Sequence, residues 1–594
     1  MWIGERAVWV CGAAPLAERI QEGLRREGQR VRPVTPERLG RLGSKGCRTL
    51  ILVQGTETPE LIRGLRERPT RGGRRGEPLR VILVHAADPP PKLPADLADP
   101  DPEGPLRLET FALEDGAARV LLARWPLHFG LDPRFGQRPH LLIVGFAPPA
   151  RAFLLQALRL IHYGEERGRI TVACADAGSV AERFAQNYPQ AGQVAEILWH
   201  DLDPFLDPEP PATAQMVAGK SPLVTQVLVC VDPPQLGLDL ARRVAARLAR
   251  VQDTSPPILI EVGDTPSSGG IEDWDGQTFP FSYLHEVCRP QVLLDGKGDR
   301  LAQTIHEHYT DSIAAQGRDP KAEPAGRPWS RLAGTYRDAN RRQADHLGAK
   351  LAVTDCEAVP EERVESFAFA PLEAERLAVI EHLRWAADRY LDGWTYAPRR
   401  DNALKHHPQL IPYPDLSEPM KDLDRYAVRG VPALLARSGL GVVRILLLGL
   451  PEPTRECPGG MTLRRLTDEA LERLVTRYPD RALVIASTLA EPRSRLVVSR
   501  ALERTDACLY LLCPQPIDEV LHRQPDDRGR RDLLELASRA KRRIPLAGHE
   551  ALQQWFSRRA EIILAVGAGA TAARARKQVL LDPARGRLEW GFEY

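Results

Sequence analysis

The chain predicts an α/β protein in four parts: two tandem parallel-sheet units, a small mostly helical segment, and a third parallel-sheet unit. Three observations lead there. Short apolar runs alternate with amphipathic helical stretches through the first half, which is the pattern of a parallel sheet. One glycine–alanine turn recurs there in the same frame. Beyond the middle the apolar spacing becomes helical, and from Gly441 the strand–helix alternation returns.

A chain of 594 residues is too long for one hydrophobic core, so about three to five domains are expected. We place them at 1–130, 137–300, 301–439 and 440–594. Proline-rich stretches punctuate the chain at Ala86–Pro105, Asp207–Thr213 and Gly317–Pro328 and read as linkers or exposed loops.

The first unit opens with "AVWVCGAAPLAERIQEGLRREG" (Ala7–Gly28), a strand, a small-residue turn and a helix; Thr49–Gly55 and Arg80–Ala86 add buried strands. The second opens with "HLLIVGFAPPARAFLLQALRL" (His140–Leu160), and Arg169–Asp176, Gln226–Asp232 and Pro257–Asp264 follow as strands. The shared frame is Gly12-x-Ala14-x-x-Ala17 and Gly145-x-Ala147-x-x-Ala150. This is a dinucleotide fingerprint with two of three glycines replaced. Such a turn needs bare backbone N–H groups near pyrophosphate. Pro15, Pro148 and Pro149 each remove one. Asp176 ends a strand where a ribose would be held; the first copy has Thr35 and Pro36 there. The arrangement resembles TrkA-type nucleotide-binding domains of potassium-transport regulators in degenerate tandem form. Two Rossmann-like domains that act as scaffold are implied, with neither turn binding NAD tightly.

The third part reads as helices over Arg331–Val353 and Leu372–Gly393, the latter stopped by Gly393, and over Ser417–Arg437, with Ser417 as its cap and Pro419 in its first turn. His382 and Trp385 share a helix face. Between the last two helices lies "WTYAPRRDNALKHHPQLIPY" (Trp394–Tyr413), which mixes aromatics with cations. Rings stack on aromatic faces, and phosphates pair with Arg and Lys. The candidate ligand residues are therefore Trp394, Tyr396, Arg399, Lys405, His407, Tyr413, Lys421 and Arg425. No zinc site is expected at His382, His406 and His407, because adjacent histidines point apart and no thiolate joins them. The stretch "EHLRWAADRYLDGWTYAPRRDNALKHHPQLIPYPDLSEPMKDLDR" closely resembles the ryanodine-receptor repeat, the RyR domain, with Ala397 in place of that family's usual glycine. The resemblance implies sensing of a nucleotide-derived ligand, often within bacterial conflict systems.

The fourth part has strands at Val442–Leu450, Arg481–Thr488 and Ala507–Pro514, and strand, glycine turn and helix over Ala560–Lys577. "LVIASTLAEPRSRLVVSRAL" and "GAGAT" (Gly567–Thr571) resemble eroded motifs of the SLOG superfamily, which includes the Lonely Guy phosphoribohydrolases. The resemblance implies ligand contacts at Gly449, Arg455, Arg493, Arg495, Gly567, Gly569, Thr571 and Arg574. Where the hydrolases carry a glutamate, Arg574 stands here. A cation suits phosphate binding and cannot replace a carboxylate in sugar-bond hydrolysis. Glu491 is the nearest carboxylate elsewhere.

Net charge is only +2, so no global field points to nucleic acid. Ten lysines leave 71 of the 81 basic residues as arginine. Nine scattered cysteines without a CxxC pair suggest a reducing cytoplasm. No apolar run is long enough to span a bilayer, and the opening residues do not read as a secretion signal. The expectation is a cytoplasmic, homo-oligomeric receptor for an NAD- or ADP-ribose-type signal, possibly cyclic, in antiphage defence. It would pass that signal to an effector protein. It would need no cofactor or metal and make no membrane insertion. A nucleotide-cleaving hydrolase and a regulator of an ion transporter are the alternatives.

Overall fold

The computed structural model describes residues 7–42, 47–55, 57–67, 79–86, 106–206, 223–252, 254–263, 277–294, 299–315, 317–329, 332–364, 366–452, 460–567 and 577–591. Strands β1 (Val8–Cys11), β2 (Val31–Val34), β3 (Thr49–Val53), β4 (Leu79–His85) and β5 (Leu106–Ala112) form one sheet in the order β2-β1-β3-β4-β5. Every pairing in it is parallel. A second parallel sheet holds β6 (His140–Val144), β7 (Arg169–Cys174), β8 (Glu196–Asp201), β9 (Gln226–Val229), β10 (Ile258–Glu261) and β11 (Thr278–Phe281). Its order, β11-β10-β9-β6-β7-β8, is that of a dinucleotide-binding sheet, and the first sheet follows the other common doubly wound order. The expected class, tandem Rossmann-like α/β units, is what the chain adopts. The central strands are buried end to end because helices cover both faces.

The third sheet contains β12 (Cys356–Pro360), β15 (Leu440–Leu450), β16 (Arg481–Ser487), β17 (Cys508–Cys513), β18 (Ala540–Pro545), β19 (Ile562–Val566), β20 (Gln578–Asp582) and β21 (Arg587–Trp590). A small pair, β13 (Thr395–Tyr396) and β14 (His406–His407), stands apart. β12 pairs antiparallel with β15. A strand from the segment expected to be helical is thus built into the C-terminal sheet, so 439/440 is not a clean break. The helix expected over Arg331–Val353 is two, Gly334–Asp345 and Leu347–Val353, meeting at His346. Helix Pro371–Leu391 forms as read; Ser417 lies at the start of helix Glu418–Arg429, but its side chain makes no capping bond. Gly317–Pro328 is folded into two short turns: Gly326 packs on the Pro320 carbonyl, and His306 Nε2 donates to the Arg327 carbonyl at 2.7 Å. The other two proline-rich stretches lie almost wholly outside the described residues. Among the described residues no helix is long and apolar enough to cross a membrane.

One continuous apolar core runs from Val8 through Phe153 and Leu377 to Val428, so the first two sheets and helix Pro371–Leu391 share it. Where these parts meet, the core gives way to charge. Glu381 is buried, with Lys350 Nζ at 2.7 Å and the Arg384 guanidinium donating to it at 2.7–3.1 Å. Arg384 also donates to Asp388 at 2.7 Å. Nearby, Asp345 accepts from Arg119 at 2.7 and 2.8 Å and from Gln156 at 2.9 Å, which ties a helix of each of the first two units to helix Gly334–Asp345. The C-terminal unit is fastened through Asp132. That fully buried carboxylate accepts from Trp555 Nε1 at 2.9 Å and Arg559 Nε at 2.8 Å.

Burial pushes the Glu381 carboxyl up, but Arg384 and Lys350 more than offset this and hold it down at about 2. Its contribution is present above the usual carboxylate range and is lost as pH falls toward 2. His162 and His346, also buried here, are held neutral; burial, with Arg384 and Lys350 close by, lowers His162 to about 3. The unfolded chain binds those protons near pH 6.5 and the folded chain does not. Stability therefore falls below pH 6.5 by about 1.4 kcal/mol per unit for each such histidine. We predict that urea unfolding at stepped pH shows this slope between pH 6.5 and 5, and that His162→Phe reduces it by about one proton. An unchanged slope in the variant would sink the assignment.

Candidate ligand-binding site

Helix Pro371–Leu391 starts on a proline, whose missing N–H is one the first turn leaves unpaired anyway. Glu373 accepts from the Ala370 N–H at 2.9 Å. The helix stops because Gly393 takes φ +82°, with Gly393 N–H donating to Tyr390 O and Trp394 N–H to Arg389 O, both at 2.9 Å. That stop delivers Trp394 beside the last turn. The chain then pairs β13 with β14 in parallel. The intervening loop is closed by Asp401, whose Oδ1 accepts from the N–H groups of Ala403 and Leu404 at 2.9 and 3.1 Å.

His407, in β14, packs edge-on against Trp385 (centroids 4.9 Å apart) and Trp394 (6.0 Å). His382 stacks on Trp385 and donates through Nε2 to the Ile411 carbonyl at 2.8 Å. Burial, then the charges of Arg400 and Arg389, lower His407 to about 4, so it is neutral at pH 7. The Arg389 guanidinium lies over both indoles, 5.8 Å from the Trp385 ring centre and 5.4 Å from that of Trp394. It has no carboxylate in contact among the described residues: Arg384 engages Asp388 at 2.7 Å, and Arg342 lies 3.5 Å from Asp392. Burial lowers its pKa, and Arg400 and Arg384 press the same way against Asp388 and Asp392. Arg399 is exposed and has no partner among the described residues; Tyr396 is exposed as well.

The other expected cations are engaged. Arg425 donates to Glu375 at 2.6 and 3.0 Å, to Glu418 at 2.8 Å and to Asp422 at 3.0 Å. Tyr413 is buried and its hydroxyl donates to Glu375 at 3.0 Å. Lys421 lies 5.7 Å over the Tyr413 ring and 3.2 Å from Glu418. Lys405, at φ +54°, donates to the Asp392 carbonyl at 2.7 Å and so holds the end of the helix. Of the eight expected residues, Trp394 and His407 lie with Arg389, Tyr396 and Arg399 stand exposed on the loop that follows, Lys405 holds the helix end, and Tyr413, Lys421 and Arg425 form a belt with carboxylates. Sequence reasoning passed over Arg389. Its signal was the helical spacing that put His382 and Trp385 on one face, extended by one turn.

Elsewhere the placements differ. A Cβ on Gly449 would lie 2.7 Å from Phe556, so packing accounts for that glycine. Arg495 is buried and donates to the carbonyls of Leu489 and Ala490 at 2.8 and 2.9 Å; it braces a turn instead of facing a ligand. Arg493 is half-buried in the first turn of helix Pro492–Arg504. Gly567, at φ +93°, donates to the Leu581 carbonyl at 2.8 Å. Arg455, Gly569, Thr571 and Arg574 lie outside the described residues. In the first two units, a Cβ on Gly12 would meet Val53 Cβ at 2.4 Å, and one on Gly145 would meet the Cys230 carbonyl at 2.4 Å. Ala147 N–H donates to Cys230 O at 3.3 Å, and Phe146 packs on Trp199 at the mouth of the turn. Asp176 is exposed after β7, at φ +50°.

Residues 372–444 match the RyR domain family. This is a small part of the chain, and it covers the whole aromatic–arginine cluster. A solved structure, a shikimate 5-dehydrogenase from Mycobacterium fortuitum, is similar at 14% identity over 50% of this chain and 95% of that one, with a TM-score of 0.25. So low a score adds nothing to the sheet orders above. No curated protein matches.

Gly393 is the positional keystone of this RyR domain. We predict that Gly393→Ala costs about 1–2 kcal/mol, because an L-residue at its positive φ is strained. Thermal melting checks this, and an unchanged melting temperature contradicts it.

Proposed function

We propose that the protein is a receptor for a nucleotide-derived small molecule of NAD or ADP-ribose type, bound on its RyR domain. The observation that carries this is Arg389, a half-buried guanidinium spanning two indole faces with no carboxylate in contact among the described residues. A desolvated cation of this kind gains from an anion, and a phosphate accepts its planar fork in two places. Trp394 and Tyr396 offer faces on which a base or nicotinamide ring stacks. Arg399 and Arg400 stand exposed on the same loop. The filled turns at Gly12 and Gly145 support a scaffold role for the first two units. Signalling to an effector in defence belongs to this reading as its biological setting.

Calorimetry with ADP-ribose on the full-length protein tests it. Arg389→Gln and Arg399→Ala should each weaken binding about tenfold or more, as for loss of one charge-assisted hydrogen bond. Lys421→Ala, which disturbs the separate belt, should weaken it far less. Equal affinity in wild type and the Arg389→Gln, Arg399→Ala double variant would reject the site.

A further inference from the structure

We infer that the chain pairs with a second copy of itself through helix Glu418–Arg429, the two helices running antiparallel about a twofold axis. The helix has its polarity inverted. Its inner side is mostly charged: Arg425 donates to Glu375, Asp424 lies 3.4 Å from His382 Nδ1, Lys421 lies over Tyr413, and Val428 is buried among them. Its outer side is apolar. Met420, Leu423 and Tyr426 follow one another at helical spacing and are 38, 62 and 61% exposed. A surface helix ordinarily turns its apolar stripe to the core and its charges to water. A single exposed leucine needs no explanation, but a continuous stripe marks an interaction face. His308, from helix Arg300–Ala315, lies nearly parallel to the Tyr426 ring at 6.5 Å and leaves more than half of that side chain open. The stripe shares no residue with the Arg389 cluster, so the inference does not rest on the ligand reading.

The charged border of the stripe identifies the occupant. Asp422 and Arg429 are two turns apart, so they stand on the same side of it. Both are exposed, and Arg429 has no partner among the described residues. Asp422 accepts from Arg425 at 3.0 Å through Oδ1, and Oδ2 can accept from elsewhere. With a twofold axis between Leu423 and Tyr426, this border meets the same border of the second copy in reverse. Asp422 then comes opposite Arg429 of the second copy, and the symmetry repeats the pair. In the same register Leu423 packs against Tyr426 of the second copy, and Met420 lies over the small Ala427. A parallel pairing would set Asp422 against Asp422 and Arg429 against Arg429. Flanking charges choose helix orientation in this way. The face is thus complementary to itself, which a closed twofold contact requires. The helix has 12 residues. At about 18 Å long, it covers less than the ~800 Å² per partner of a standard interface. The dimer therefore dissociates on dilution.

Sedimentation equilibrium on the full-length chain, without ligand and over about 1–100 µM, the span suited to a weak contact, tests the proposal. The mass should rise from one chain to two as concentration increases. Leu423→Asp places a charge in the middle of the stripe and should leave one chain at every concentration. Asp422→Arg and Arg429→Asp each set like charges opposite one another and should raise the dimer Kd about tenfold. The two reversals together should restore it to near the wild-type value. Residues seven apart are not neighbours on one helix, so that rescue can come only from a second copy. If Leu423→Asp lowers the melting temperature, the reversal series decides alone, because both of its sites are exposed. A wild-type chain that stays single throughout would overturn the dimer and leave the face to another partner. Dimers that survive Leu423→Asp would place the contact elsewhere and overturn it as well. Failure of the double reversal to restore pairing would overturn the antiparallel arrangement.

Discussion

A carboxylate buried between two cations organises this molecule. Glu381 lies in the middle of helix Pro371–Leu391, where Lys350 reaches it from one neighbouring helix and Arg384 from the next turn. Removing one member of such a group leaves a charge stranded in a poor solvent, at a cost of about 3–5 kcal/mol. The group therefore selects one register of this helix against its surroundings more sharply than apolar contacts could. Register matters because the helix has two working stripes. Glu381, Arg384 and Asp388 form one, turned into the junction. His382, Trp385 and Arg389 form the other, one residue further along and so about 100° around the helix axis. Fixing the first stripe presents the second.

The parts legible in the sequence were those encoded by local pattern. Apolar runs such as Val8–Cys11 and His140–Val144 could only be buried strands, and the stretch ending at Gly393 could only be a helix with a glycine stop. The aromatic–cation cluster was legible too, because composition and spacing already set it apart. What could not be read were pairings across long chain separations. Nothing local marks Asp132 as the acceptor for Trp555 and Arg559, more than four hundred residues away. Nothing marks Glu375 as the partner that removes Arg425 from the list of free cations. Cys356–Pro360 is too short to announce itself as a strand, and it becomes one only because β15 offers an unpaired edge. Nothing local marks Glu452 as the acceptor for the hydroxyls of Thr488 and Ser494, 36 and 42 positions further on.

The glycines of the two dinucleotide-like turns have a packing reason of their own. Gly12 and Gly145 remain because the backbone crosses a neighbour too closely for any side chain. That demand comes from the sheet and persists without a ligand. In the second turn the backbone donors are few: Pro148 and Pro149 have no N–H to give, and the Ala147 N–H is directed to Cys230. A glycine fingerprint is therefore a statement about strand crossing first and about nucleotides second.

Charge accounting explains why the RyR cluster, and not the belt beside it, is the electrophilic part of the surface. Arg425 faces three carboxylates, and Lys421 shares one of them, so an incoming anion would have to displace ligands already in place. Around Arg389 the situation is reversed. The acids nearest to it in sequence are engaged by Arg384 and Arg342, and Arg400 adds further positive potential. His407 stays neutral beneath the indoles, so the aromatic floor can remain dry. A cation held over π faces, short of counter-charge and next to an exposed arginine is stable only because the helix behind it is anchored elsewhere. That anchor is Glu381, so the junction that joins the domains also sustains the unbalanced charge at the surface.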